Sequence, residues 1–367
     1  MSERQVALGL MSGTSVDAID VALIETDGED WVRPLRAMER IWPVQARQSI
    51  ASITARVGEA NGRLNDHAAL RHIADLVTRH HLDVVRNALA RWNMTPDQVD
   101  CVGFHGQTIF HAPADQITLQ IGHGGELAAE LGCPVVHDFR SADVAAGGEG
   151  APLIPIYHRA VMRRLDRQEP VAVVNIGGVS NISYIEGDML IGFDSGPGNG
   201  PIDSWVAARG QGNFDMDGAL ASAGTINKNL LERWLDNEYF DLAPPKSLDR
   251  FAFSFAGLDQ LSGPDGAATL TAFTAETIAR ALTLCPNVPS ELVVTGGGLK
   301  NPVLMKELAA RARVPVTGLE AYGWSADSLE AEGFGYLAVR RLRELPATFP
   351  GTTGVSVPML AGEIALP

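Results

Sequence analysis

The stretch 8-LGLMSGTSVDAIDVALIET-26 places two apolar runs, Val6 to Leu10 and Ile19 to Ile24, on either side of the polar tetrad Ser12-Gly13-Thr14-Ser15. Short apolar runs bounded by turn residues read as strands, and this pair reads as a hairpin. Gly and Ser are ordinary turn residues. The sharper reading is that the turn holds an anion on its backbone N–H groups. About half a chain later, 174-VNIGGVSNIS-183 repeats the design, a glycine-bearing turn between strand-like runs. Two such units imply two similar domains facing each other across a cleft.

The other strand-like runs are 99–104, 182–193 and 291–297, and helical periodicity marks 64–92, 267–284, 302–313 and 327–345. In the first helix Leu70, Ile73, Ala74, Val77, Val84 and Ala88 fall near one face. Asn301 reads as the cap of the third, with Pro302 in its first turn. Strands alternating with helices make an α/β chain. The Pro-, Gly- and Thr-rich tail from 346 reads as a closing loop or edge segment.

Composition narrows the partners. The chain has 367 residues, 46% of them hydrophobic, and a net charge of −15 with no basic block. That argues against nucleic acid. Phosphates would be held locally, by backbone N–H groups and a few cations. Cys101, Cys133 and Cys285 are odd in number and far apart, which fits a reducing compartment. His67, His72, His80 and His81 lack zinc spacing. No signal peptide and no membrane helix is expected. The reading is a cytoplasmic enzyme.

Four glycine-rich turns end or join strands: 12–15, 175–181, 194–199 and 295–301. Glycine lets a backbone approach a ligand with no Cβ in the way. One such turn is ordinary; four point to a nucleotide. The P-loop signature, the protein-kinase motifs and G-x-G-x-x-G after the first strand are all absent. Among the acids, Asp194 closes 190-LIGFD-194 before a rigid Gly/Pro turn, where it reads as a base or as an Asx-turn residue. Asp17 follows the first turn as a hairpin residue or helix cap. His105 lies between glycines in 103-GFHGQTIFH-111. Arg140 is a carboxylate clamp or a surface ion-pair partner. Glu330 is a ligand or an acid favoured by the dipole of a late helix.

In order along the chain, these segments resemble the anhydro-N-acetylmuramic acid kinases. The match includes GLMSGTSVDAIDVAL at 9–23, GFHGQT at 103–108, LQIG at 119–122, DFR at 138–140, GGEGAPL at 147–153 and NIGGVSNI at 175–182. It continues with FDSGPGN at 193–199, DMDG at 215–218, PPKS at 244–247, TLTAFTAETIA at 269–279, TGGGLKNP at 295–302 and DSLEAEGFGYLA at 327–338.

The resemblance implies a two-domain actin-like (ribonuclease H-like) ATPase fold, with a mixed sheet and helices in each domain and an ATP/sugar cleft between them. Domains of 1–145 and 146–345 are expected, with 346–367 a candidate to return to the first. It also implies a phosphotransferase of peptidoglycan recycling. Such an enzyme hydrolyses the 1,6-anhydro ring of 1,6-anhydro-N-acetylmuramic acid and phosphorylates O6, using ATP and Mg²⁺. Asp194 matches the family's catalytic aspartate. Ser12, Gly13, Thr14, Ser15 and Asp17 would form the first phosphate motif; Asn175, Gly177, Gly178 and Gly196 the second; Gly296, Gly297, Gly298 and Asn301 the adenosine motif. His105, Gln107, Arg140 and Glu330 would meet the sugar. No protein metal site is implied, and a homodimer is. Ser195, Glu149, His123 and Gly200-Pro201 depart from the family pattern. A conventional sugar kinase acting on a free hydroxyl, and a nucleotide sensor of the same fold, are the competing readings.

Overall fold

β1 (Gln5–Ser12) and β2 (Ala18–Thr26) form the hairpin that opens the chain, paired antiparallel from Gln5↔Thr26 to Met11↔Asp20. The computed structural model describes residues 3–248 and 253–367. The chain divides into two units, Met1–Arg164 with Ser328–Pro367, and Leu165–Asp327.

In the first unit β3 (Val32–Ile41) continues the meander, and β4 (Cys101–Ala112) lies parallel to β1 on its other side. β5 (Ile117–Ile121) folds back on β4, β6 (Val135–His137) runs parallel to it, and a late strand at the C-terminal end closes the edge against β6. In the second unit β7 (Val171–Ile176), β8 (Val179–Glu186) and β9 (Met189–Pro197) form the meander. β10 (Leu292–Thr295) and β11 (Val316–Gly318) extend β7 in parallel, and β12 (Glu363–Ala365) is the closing strand of the first unit. The orders are β12-β6-β4-β1-β2-β3 and β11-β10-β7-β8-β9. Each has one antiparallel three-strand meander whose first strand is flanked by parallel strands, so one topology occurs twice. This is the duplicated α/β arrangement that the resemblance implies.

Apolar burial explains the pattern. β1 and β7 are buried along most of their length, as strands covered on both faces must be. Leu8, Leu10, Val21 and Leu23 join Val77, Val84 and Ala88 of the helix His67–Trp92 in one core. Val174, Ile176, Ile182 and Phe193 meet Ala275 and Ile278 of the helix Gly263–Ala281 in another.

The helix Leu329–Leu342 sits on β1 and β4 with no side chain between backbones. A Cβ on Gly9 would lie 1.7 Å from the carbonyl oxygen of Ala331, and one on Gly103 would lie 1.9 Å from that of Phe334. These glycines of GLMSGTS and GFHGQT are seats for a helix. That seat ties 328–345 to the first unit. The helix Pro155–Arg164 is tied there too, by Tyr157 Oη donating to Glu332 (2.6 Å) and by the Arg163–Asp30 ion pair. The observed limits, 164/165 and 327/328, therefore differ from the expected 145/146 and 345/346.

Two local expectations also change. The apolar run 182–193 is two strands, turned back at Gly187, whose φ is +55°. β3 and the helix Val44–Glu59 were not expected. Gly200-Pro201, which departs from the family pattern, opens the helix Gly200–Ala207, because proline fits a first turn whose N–H groups have no acceptor within the helix. No helix among the described residues is long and apolar enough to cross a membrane.

Candidate active site

In the first unit, turn 12–16 is braced from beneath. Ser12 is fully buried, and its hydroxyl donates to Gln107 Oε1 (2.6 Å) while accepting from Trp42 Nε1 (2.9 Å). Gln107 Nε2 donates to the Gly13 carbonyl (3.1 Å) and to that of Thr108 (3.3 Å). Gln107 is itself fully buried. Its amide therefore positions the turn. Val16 N donates to Gly13 O (3.1 Å), and Val16 takes φ +55°, a strained state for a β-branched residue. Thr14 and Ser15 are exposed at the tip. Asp17 is exposed, pairs with Arg47 (2.8 Å), and its carbonyl accepts from Trp42 N (3.0 Å).

A second cluster in this unit surrounds Arg140. Its guanidinium donates from Nη1 to Gly150 O (2.7 Å) and from Nη2 to His105 Nε2 (3.0 Å). His105 is buried, with Nδ1 against Gly106 O at 3.0 Å. Nδ1–H therefore donates to the carbonyl and Nε2 accepts from arginine, which fixes the tautomer. Burial, then the Arg140 charge, holds His105 well below the usual imidazole range, so it stays neutral. Arg140 is pulled to about 10 by burial, against the opposing charges of Glu330 and Asp143. Its Nε is buried with no partner among the described residues. Asp143 shapes the loop, accepting from Gly150 N (2.7 Å) and Thr353 Oγ1 (2.6 Å). Glu330 lies in the first turn of Leu329–Leu342.

In the second unit three glycine turns meet. Asn199 N donates to Gly177 O (2.7 Å), Gly198 N to Gly178 O (3.0 Å), and Asn199 Nδ2 to Ile176 O (3.3 Å). Gly296 has φ +81°, and a Cβ there would lie 2.3 Å from Asn175 Oδ1. Asn301 caps the helix Pro302–Arg311 as expected, accepting from Val303 N (3.0 Å) and Leu304 N (3.1 Å).

The glycines fall into two kinds. Gly196, Gly198, Gly296 and Gly298 abut the protein's own atoms, which come within 3 Å of where a Cβ would lie. Gly13, Gly177, Gly178 and Gly297 have nothing nearer than 3.6 Å there, and none has a positive φ. The fold alone would accept a side chain at those four positions.

Asp194 sits next to a β-bulge. Asn181 opposes Asp194 and Ser180 opposes Gly196, so Ser195 is the extra residue. A bulge re-aims the side chains beside it. Ser195 Oγ donates to Ser180 O (3.1 Å), a bond threonine would also make. Of the other departures, His123 contacts Asp75 (3.0 Å), and Glu149 N donates to Thr353 O (2.7 Å).

Of the expected residues, Asn175, Gly177, Gly178, Gly296 and Gly298 share one cluster, Ser12, Gly13 and Gln107 another, and His105 and Arg140 a third. Trp42 and Asn199 are additions. Asn199 closes the FDSGPGN motif and was legible there; Trp42 lies in no turn and gave no signal. The described residues include no group of three or more His, Cys, Asp or Glu able to hold a metal.

Residues 5–367 match the family model described as anhydro-N-acetylmuramic acid kinase. The protein of that name from Rhizorhabdus wittichii is 47% identical over 362 residues, 98% of each chain. That from Rhodopseudomonas palustris is 46% identical over 98% of this chain and 100% of its own. That from Paramagnetospirillum magneticum is 45% identical over 99% and 100%.

Proposed function

We propose the chemistry of the site from one premise: the chain belongs to the anhydro-N-acetylmuramic acid kinase family. It is a kinase that takes 1,6-anhydro-N-acetylmuramic acid, opens the anhydro ring with water and phosphorylates O6 from ATP. The products are N-acetylmuramic acid 6-phosphate and ADP, in peptidoglycan recycling.

Asp194 is the base in this reading. It takes a proton from a water that attacks the anomeric carbon on the face opposite the leaving oxygen, as in inverting glycoside hydrolysis. The C1–O6 bond breaks, and O6 attacks the γ-phosphorus, releasing ADP. Phosphoryl transfer then depends on position and charge. Gly13, Thr14 and Ser15 offer the β- and γ-phosphates backbone N–H groups, with Ser12 and Gln107 holding the turn and Asp17 at its flank. Gly177 and Gly178 make the second phosphate turn, with Asn175 and Gly196 shaping it. Gly296, Gly297, Gly298 and Asn301 take the adenosine. The observation that carries this reading is the set of open glycines at 13, 177, 178 and 297, which the fold does not itself require.

Arg140 takes the lactyl carboxylate, supported by its unpartnered buried Nε, while His105 holds the guanidinium and Glu330 takes a sugar hydroxyl. Magnesium would come with ATP as part of the substrate, and such ions take phosphate oxygens, waters and one or two carboxylates as ligands. It neutralises phosphate charge. The proposed setting is the cytoplasm, and the proposed assembly is a homodimer, which sedimentation at micromolar concentration checks.

The test is a coupled ATP assay on the anhydro sugar and on free N-acetylmuramic acid, run in ¹⁸O water with mass analysis of the product. The expected result is turnover of the anhydro sugar with one solvent oxygen at C1. Turnover of the free sugar alone would make Asp194 the base for a hydroxyl, as in a conventional sugar kinase.

A further inference from the structure

Asp194 is gripped on three sides by one stretch of chain. Its N–H donates to Lys246 O (2.9 Å). Its carbonyl accepts from Tyr239 Oη (2.8 Å), and its Oδ2 accepts from Leu248 N (2.8 Å). The stretch is locked in turn by a buried cation. Lys246 Nζ donates to Tyr239 O (2.7 Å), sits 4.4 Å from the Tyr239 ring centroid, and is only 7% exposed. Backbone and carboxylate of one strand residue are thus held by partners 45 to 54 residues away in sequence, all within 239–248. A carboxylate with one oxygen tied to an N–H has one orientation, which is what a general base needs.

We propose that segment 239–248 is a strap that positions the Asp194 carboxylate for proton abstraction, with Tyr239 and Lys246 as its positioning residues. The proposal rests on Asp194 being the base. Tyr239 holds the strand beside the bulge, and Lys246 holds Tyr239. The Lys246 ammonium is the clasp: neutral lysine loses its charge-assisted bond to Tyr239 O and its attraction to the ring. The charged groups facing it are Asp241, from the turn Glu238–Asp241, and Asp194, from β9. Burial brings Lys246 down to about 8 in spite of both carboxylates, so the clasp opens in mildly alkaline solution.

The experiment compares Tyr239→Phe, Lys246→Met, Lys246→Arg and Asp194→Asn with the unaltered enzyme, measuring kcat, both KM values and the pH profile. Tyr239→Phe, which removes a single oxygen, is expected to lower kcat about tenfold with both KM values within about twofold. Lys246→Met is expected to lower kcat at least as far. Lys246→Arg restores much of it and moves the alkaline decline of kcat upward from about pH 8. Unaltered kcat and pH profile in Tyr239→Phe, beside an inactive Asp194→Asn, would overturn the strap and leave the base assignment standing. Activity in Asp194→Asn would instead remove the base assignment itself. If Lys246→Met does not fold, Tyr239→Phe decides the matter.

Discussion

The two units share a strand order but hold their turns by different means. In the first, the turn after β1 is braced by side chains: Gln107, Ser12 and Trp42 form a buried hydrogen-bonded prop under Gly13. In the second, the turns brace one another through backbone N–H and C=O groups, with glycines where chains touch. The ionisable chemistry differs as well. All nine histidines lie in the first unit and none in the second. One topology therefore supports two constructions, one dependent on polar side chains and their protonation, the other on close backbone approach.

Changing a seat glycine should break the comparison most severely, because in the first unit backbone also meets backbone, at Gly9 and at Gly103. Gly9→Ala puts a carbon within bonding range of the Ala331 carbonyl. The expected loss is at least about 3 kcal/mol, or failure to fold, by overpacking and backbone displacement. Thermal unfolding of Gly9→Ala and Gly103→Ala checks this; near-normal melting would mean the helix shifts freely.

Acid should separate the units next. His81 and His111 are held at about 4 and His158 at about 3, each chiefly by burial, and His105 well below its usual range. A folded pKa below the unfolded value of about 6.5 means the unfolded chain binds more protons in that interval. Stability is then full above about pH 6.5 and is lost as pH falls toward 4. At pH 5 a fully buried neutral histidine such as His81 accounts for a loss of about 2 kcal/mol. Limited proteolysis at pH 5 and 7.5 should show new cleavage in the first unit ahead of the second. Equal loss in both would erase the contrast.

The smallest effect on stability, and the one that sharpens the comparison, comes from the open glycines. Gly13→Ala in one unit and Gly178→Ala in the other should each change folding stability by less than about 1 kcal/mol. If these turns hold the phosphates as proposed, both should raise the KM for ATP, Gly13→Ala at least tenfold. An unchanged KM with unchanged stability would remove that glycine from the nucleotide site.

Much of this was legible in the sequence because it lies in turns. The β1–β2 hairpin, the glycine clusters and the Asn301 cap declare themselves through residue types that few other structures need. β3 was not legible: VRPLRAMERI is an edge strand with a polar outer face, and its arginines mask the alternation. The reversal within 182–193 was legible, since Gly187-Asp188 after Glu186 is a two-residue hairpin turn that reading the stretch as one run passes over. The resemblance implies a ligand contact for Gln107. Whether its amide faces outward depends on the pairing of β4 with β1, which shifts register at Ser12. Trp42 and Tyr239 act through contacts 30 and 45 residues distant, which no local pattern encodes.

Glu330 immediately precedes Ala331, whose carbonyl rests against Gly9, and Phe334 rests on Gly103. The carboxylate is thus mounted on a bearing with no compliant layer. Elsewhere side chains cushion a helix, and a substitution in the core lets it slide by fractions of an ångström. Here two backbones meet directly, so peptide geometry sets the height of Glu330 above the sheet. The first unit thus presents this acid at an elevation fixed by two peptide contacts, at Gly9 and Gly103.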